Sequence, residues 1–142
     1  MRFWDSSAIV ALVVKQGKAR VVRDLLSGDH QMAVWWGTPA ECEGALARMA
    51  RARELDGDAL PELRARLARF EPGWTVVQPG RELRSAAVAA LRRHPLKAGD
   101  ALQLAAALEW GDGRGDGLEF VTLDERLARA AALEGFTVLP AP

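Results

Sequence analysis

The chain has 142 residues, and its 19 Lys and Arg residues balance its 19 Asp and Glu residues, so the formal net charge is zero. This balance excludes the strongly basic composition of many nucleic-acid binders, although acidic and basic regions can still be segregated on the surface. The single cysteine, Cys42, excludes an internal disulfide and a cysteine-rich zinc cluster, which fits a protein of the cytoplasm. No signal peptide or membrane span is predicted, and the length favours one domain over residues 1–142.

Apolar segments with strand character alternate along the chain with segments of helical periodicity. The predicted strands are 2–5, 31–36, 73–79, 119–124 and 136–140. The predicted helices are 6–16, 18–28, 38–57, 58–70, 81–94, 98–110 and 125–135. This alternation predicts the α/β class with a mostly parallel sheet.

Four acidic residues lie at or close to the start of a predicted helix, namely Asp5, Glu41, Asp100 and Asp124. Helix capping, which contributes about 0.5–2 kcal/mol, explains any one of them alone. In a parallel sheet, however, strand C-termini and the following helix N-termini lie along one edge. We therefore expect Asp5, Glu41 and Asp124 to meet at that edge, where Asp100 can join them.

A cleft that holds four carboxylates needs a counter-charge, because the carboxylates repel one another and at least one would otherwise stay protonated. A divalent cation is the natural solution. Oxygen ligands without histidine or cysteine suit Mg²⁺ or Mn²⁺ rather than zinc. Such an ion, kept partly hydrated, can activate a water molecule and stabilise charge on a phosphoryl oxygen.

Four segments carry a family resemblance, and they occur in order over essentially the whole chain. They are "WDSSAIVAL", "VWWGTPAECEGALAR", "GDALQLAAAL" and "FVTLDERLARAAALEGF". Together they resemble the acidic motifs of the PIN domain, specifically of VapC-type toxins from bacterial and archaeal toxin–antitoxin pairs. The resemblance implies a three-layer α/β/α sandwich and a Mg²⁺-dependent endoribonuclease, with Mn²⁺ as an alternative ion, that hydrolyses RNA by in-line attack of water. It also implies a homodimer and a VapB-type antitoxin as partner.

The resemblance also assigns roles to individual residues. The catalytic and metal-binding residues would be Asp5, Glu41, Asp100 and Asp124, with Ser7 and Thr122 in supporting positions. Asp5 and Asp100 would be the surest ligands. Within "AECEGA", Glu43 is an alternative to Glu41, but two residues on a helix differ by about 200°, so both cannot face one site. We choose Glu41, because its distance to "ALAR" matches the family motif.

Other interpretations remain open at the level of sequence. The arginine-rich stretch is either a solvated helix face or a wall that binds RNA phosphates or an acidic antitoxin segment. It consists of Arg48, Arg51, Arg53, Arg64, Arg66 and Arg69. A PIN-like module that binds nucleic acid or protein without catalysis is the alternative function. A different Mg²⁺-dependent phosphotransfer enzyme ranks lower, because "WDSS" has no second Asp and no phosphate-binding loop is present.

Overall fold

The structure, a computed structural model, describes residues 1–141. Pro142, the last residue of the predicted domain 1–142, lies outside the described residues. The strands are β1 (Arg2–Trp4), β2 (Met32–Trp35), β3 (Trp74–Val77), β4 (Glu119–Val121) and β5 (Thr137–Leu139). The helices are α1 (Ser6–Val14), α2 (Ala19–Gly28), α3 (Thr38–Arg51), α4 (Leu60–Phe70), α5 (Arg81–Arg93), α6 (Ala98–Trp110) and α7 (Glu125–Leu133).

The five strands form one sheet in the order β3-β2-β1-β4-β5, and every neighbouring pair is parallel. Helices connect consecutive strands. Each connection returns the chain to the end of the sheet at which the previous strand began, so that the next strand can run parallel to it. The prediction of an α/β fold with a mostly parallel sheet is confirmed. The chain runs outwards from β1 through β2 to β3, and then continues on the other side with β4 and β5. The sheet therefore has a switch point between β1 and β4, the place where open parallel sheets bind ligands.

Two hydrophobic cores cover the two faces of the sheet, as alternation along a strand requires. Phe3 packs with Phe120 and with buried residues of α5, α6 and α7 on one face. The next residue, Trp4, points to the opposite face and packs with Val34 and with buried residues of α1 to α4. This arrangement confirms the three-layer α/β/α sandwich. It also fixes the ends of β1 and β4 between the helices that carry the acidic residues.

Several predicted helices extend one or two residues beyond the observed ones, and the largest difference is at the end of α3. The sequence predicts a helix over 38–57, but α3 ends at Arg51, and residues 57–59 form a separate 3₁₀ turn. Arg53 takes a left-handed conformation with φ of 57°, which ends the helical path. Asp56 then accepts a hydrogen bond from the backbone N–H of Asp58, so a polar turn replaces the last predicted helical turns. Across residues 1–141, every helix is too short or too polar to cross a bilayer.

Candidate metal centre

All four predicted acidic residues line one cleft of about 520 Å³, at the switch point of the sheet. Asp5 directly follows β1, and Asp124 lies three residues after the end of β4. Glu41 is in the first turn of α3 and Asp100 is in the first turn of α6. Four separate segments of the chain therefore each contribute one acidic residue to the same cleft.

Asp5 is almost completely buried, and its carboxylate is held by hydroxyl and backbone donors. The backbone N–H of Ser7 donates to Oδ2 over 3.2 Å, and the Ser7 hydroxyl donates to the same oxygen. The Thr122 hydroxyl also donates to Oδ2, over 2.9 Å, because β4 lies directly beside β1. Both residues predicted to support the site thus contact Asp5. Burial is the largest influence on this carboxyl and raises its pKa, against the effect of these hydrogen bonds.

Asp124 is the N-cap of α7 and, like Asp5, forms a hydrogen bond with the Thr122 hydroxyl. Its Oδ1 accepts from the backbone N–H of Leu127 over 2.8 Å, and its own N–H donates to Thr122 Oγ1 over 3.1 Å. The capping role that the sequence allows for Asp124 is therefore real. It is compatible with the cleft, because capping uses Oδ1 while the residue still lines the cleft.

Asp100 is the third residue of α6 and is not the N-cap, which is Lys97. Burial raises the pKa of the Asp100 carboxyl, and the negative charges of Asp124 and Asp5 raise it further. The backbone N–H of Lys97 acts in the opposite direction. A cap alone would not place Asp100 within the field of two other carboxylates, so the cleft accounts for its position better than capping does.

Glu41 faces the cleft, whereas Glu43 lies on the protein surface. The guanidinium of Arg64 pairs with Glu43 through a 2.7 Å contact from Nη2 to Oε1. Burial raises the pKa of Glu41 to about 7, and the charges of Asp5 and Asp100 add to this effect. A hydrogen bond from Gln103 opposes the increase.

Gln103 is the site residue that sequence reasoning missed. Its Nε2 donates to Oε2 of Glu41 over 2.5 Å and to Oγ1 of Thr38 over 3.3 Å. The available signal was its spacing: Gln103 lies three residues after Asp100, on the same face of the helix, and interrupts an otherwise apolar run. Arg48 is the one arginine of the arginine-rich stretch among the residues that line the acidic cleft.

The donor chemistry of the cleft fits a hard divalent cation. Within residues 1–141, no three side chains of histidine, cysteine, aspartate or glutamate stand close enough together to ligate one ion directly. Mg²⁺ does not require such a cage, because it keeps several water molecules and needs only one or two carboxylates. Burial raises the pKa values of Asp5, Glu41 and Asp100, and neighbouring carboxylates add to each increase, so a bound cation would favour their charged forms.

The raised pKa of Glu41 predicts that the metal-free protein becomes less stable as the pH rises. Between the ordinary pKa of 4.5 and the folded-state value of about 7, the folded protein binds more protons than the unfolded chain. The free energy of unfolding therefore falls across this window, by about 1–2 kcal/mol after allowance for partial exposure of the carboxyl. Denaturant unfolding in EDTA at about pH 5 and about pH 8 measures the difference. Glu41→Gln should remove much of it; an unchanged difference in that variant would exclude Glu41 as the source.

Comparison with known proteins agrees with the fold. A family model described as the PIN domain matches residues 2–133. A toxin–antitoxin complex from Klebsiella pneumoniae contains a chain with 18% identity and a TM-score of 0.61, and the match covers 90% of this chain and 91% of that one. PAE2754 from Pyrobaculum aerophilum has 22% identity and a TM-score of 0.65, with 97% and 83% covered.

A third structure, FitAB bound to the IR36 DNA fragment, has 18% identity and a TM-score of 0.58, with 98% of this chain and 94% of that one covered. At these identities the structures establish a shared fold. No curated protein matches the sequence significantly. Because the family model extends over nearly the whole chain, the family does not depend on the distant structural matches. The chain belongs to the PIN domain family.

Proposed function

We propose that this chain is a Mg²⁺-dependent endoribonuclease, with Mn²⁺ as an alternative ion, and that it is the toxin of a VapBC-type toxin–antitoxin pair in the cytoplasm. PIN domains are in general nucleases, which supports hydrolysis of a phosphodiester bond. The observation that carries the proposal is the convergence of Asp5, Glu41, Asp100 and Asp124 on one cleft. Helix capping accounts for single acids such as Asp124, but it does not explain why four acidic residues from separate segments line one cleft.

The residues of the cleft divide into those that would hold the ion and those that orient them. Asp5 and Asp100 would be the principal ligands, with Glu41 and Asp124 completing the acidic wall. The bound ion would activate a water molecule and stabilise charge on a phosphoryl oxygen. The hydroxyl of Thr122 fixes the orientation of Asp5. At neutral pH, a fraction of metal-free molecules carries a proton on Glu41, and binding of a cation would displace that proton.

Arg48 supports a nucleic-acid substrate. It is exposed on α3 and lines the same cleft as the four acids, next to the apolar side chains of Val10 and Met49. A guanidinium in this position can bind a backbone phosphate, while the apolar side chains offer a surface for a base. Arg64 and Arg66 differ from Arg48, because each forms an ion pair with a glutamate. The solvated-face interpretation therefore suits those two residues, and the phosphate-binding interpretation suits Arg48.

The antitoxin proposal draws on the structural neighbours, two of which are described as a toxin–antitoxin complex and as FitAB on DNA. We propose a VapB-type antitoxin for this chain by analogy, and a homodimer by the family resemblance. Large apolar side chains that remain exposed include Trp36, Val88, Leu91 and Leu133. Exposed apolar side chains of this kind can pack against another subunit or a partner protein.

Cleavage of total RNA by the purified chain tests the proposed function. We expect cleavage of RNA with Mg²⁺ or Mn²⁺ and none in EDTA. Single-stranded DNA should be cleaved at least about 10-fold more slowly than RNA. Asp100→Asn, prepared in parallel, controls for contaminating nucleases. Metal binding without turnover on any RNA would favour the non-catalytic binding module, and equal cleavage of DNA would contradict the RNA assignment.

A further inference from the structure

Gln103 is a buried polar side chain within an apolar helix face. Its side chain is 1% exposed, and the residues around it on α6 are buried alanine and leucine. The amide nitrogen donates to Oε2 of Glu41 and to the Thr38 hydroxyl, which uses both of its N–H groups. Its Oε1 has no hydrogen-bond partner within the described residues. A buried acceptor without a partner is costly, so the stability of the core does not account for a glutamine here.

The other carboxylate oxygen of Glu41, Oε1, lies close to Gly99 of the same helix, α6. A Cβ atom built on Gly99 would lie 3.1 Å from Oε1 of Glu41, which is tighter than an ordinary contact. The backbone of Gly99 does not need a glycine for its conformation, because Gly99 is not among the residues with positive φ. The missing side chain therefore makes room for the carboxylate. One turn of α6 thus contacts Oε2 through Gln103 and leaves space for Oε1 at Gly99.

We propose that Gln103 and Gly99 are positioning residues that hold the Glu41 carboxylate in the orientation needed for cation binding. Asp100 lies between them on the same turn, so α6 supplies one carboxylate directly and fixes a second one that belongs to α3. This inference rests on the proposed function, since it concerns the carboxylates that would hold the ion. It adds a role for two residues that lie outside the acidic cluster.

Gln103→Met provides the main test, because methionine has nearly the same length but cannot donate to Glu41. We expect Mn²⁺ affinity, measured by electron paramagnetic resonance titration, to fall by about 10-fold or more, as is typical when a partner of a metal ligand is lost. The unfolding temperature of the metal-free protein should change little, because removal of the unpartnered Oε1 offsets loss of the hydrogen bonds to Glu41 and Thr38. Leu104→Met on the same buried helix is the matched control and should leave Mn²⁺ affinity unchanged.

A double-mutant cycle with Glu41→Gln separates positioning from a general structural effect. If Gln103 acts through Glu41, adding Gln103→Met to the Glu41→Gln variant should cause no further loss of Mn²⁺ affinity. An equal loss in both backgrounds, or wild-type affinity in Gln103→Met, would overturn the proposal.

Gly99→Ala gives a second, independent measurement. It should weaken Mn²⁺ binding in the wild-type background and have little effect once Glu41 is replaced, because its methyl group would act through Oε1. Wild-type affinity in Gly99→Ala would exclude Gly99 from the proposed role. Absence of Mn²⁺ binding by the wild-type protein would instead overturn the proposed function and this inference with it, so the two failures are distinguishable.

Discussion

Replacement of Asp5 by asparagine is expected to lower Mg²⁺-dependent RNA cleavage by about 10³-fold while leaving the protein folded. Asparagine has the shape of aspartate, and its carbonyl oxygen can still accept the hydrogen bonds from Ser7 and Thr122. It lacks the negative charge that attracts a cation to the base of the cleft. Single-turnover cleavage rates at saturating Mg²⁺ provide the measurement.

The stability of the same variant distinguishes a site defect from a folding defect. Burial raises the pKa of Asp5, so the folded protein carries its charge at a cost when no metal is bound. We expect the free energy of unfolding of the metal-free Asp5→Asn variant to equal that of the wild type or to exceed it by about 1 kcal/mol. A large loss of stability that parallels the loss of cleavage would mean that Asp5 serves the fold. Unchanged cleavage would remove Asp5 from the site.

Replacement of Glu41 by glutamine is expected to lower cleavage by about 10²-fold or more, because it removes a carboxylate from the acidic wall. Glu43→Gln is the matched control on the same helix. Glu43 is engaged with Arg64 on the surface, away from the cleft, so we expect less than about a 2-fold change in its cleavage rate. Parallel cleavage assays of the two variants compare the neighbouring glutamates directly. A larger defect in Glu43→Gln would reverse the assignment.

The sequence predicted those parts of the site that depend on the order of strands and helices. Asp5 and Asp124 each end a predicted strand, so a parallel sheet brings both to one edge. The choice of Glu41 over Glu43 followed from its distance to "ALAR", and helical geometry excluded both facing one site. The placement of Asp5 and Asp124 required only local periodicity and a general rule of parallel sheets, whereas the choice of Glu41 also required the family resemblance.

Contacts between segments that are distant along the chain could not be predicted from the sequence. The position of the Glu41 carboxylate depends on how closely α6 approaches α3, and no local sequence pattern predicts that distance. The contacts of Gln103 and Gly99 with Glu41 therefore could not be predicted. The hydrogen bond from Thr122 to Asp5 likewise requires β4 to lie beside β1, which many strand orders would not provide. The early end of α3 follows from the turn at Arg53 and Asp56, where residue types gave no clear stop.

The central claim is that the cleft lined by the four acidic residues binds a divalent cation, and anomalous diffraction from crystals soaked in Mn²⁺ tests it most directly. We expect a Mn²⁺ peak within about 2.0–2.6 Å of carboxylate oxygens of Asp5 and Asp100, with water molecules completing the coordination. The peak should be absent from Asp5→Asn crystals that are treated identically. A fully occupied Mn²⁺ elsewhere on the molecule, with the cleft empty, would contradict the account.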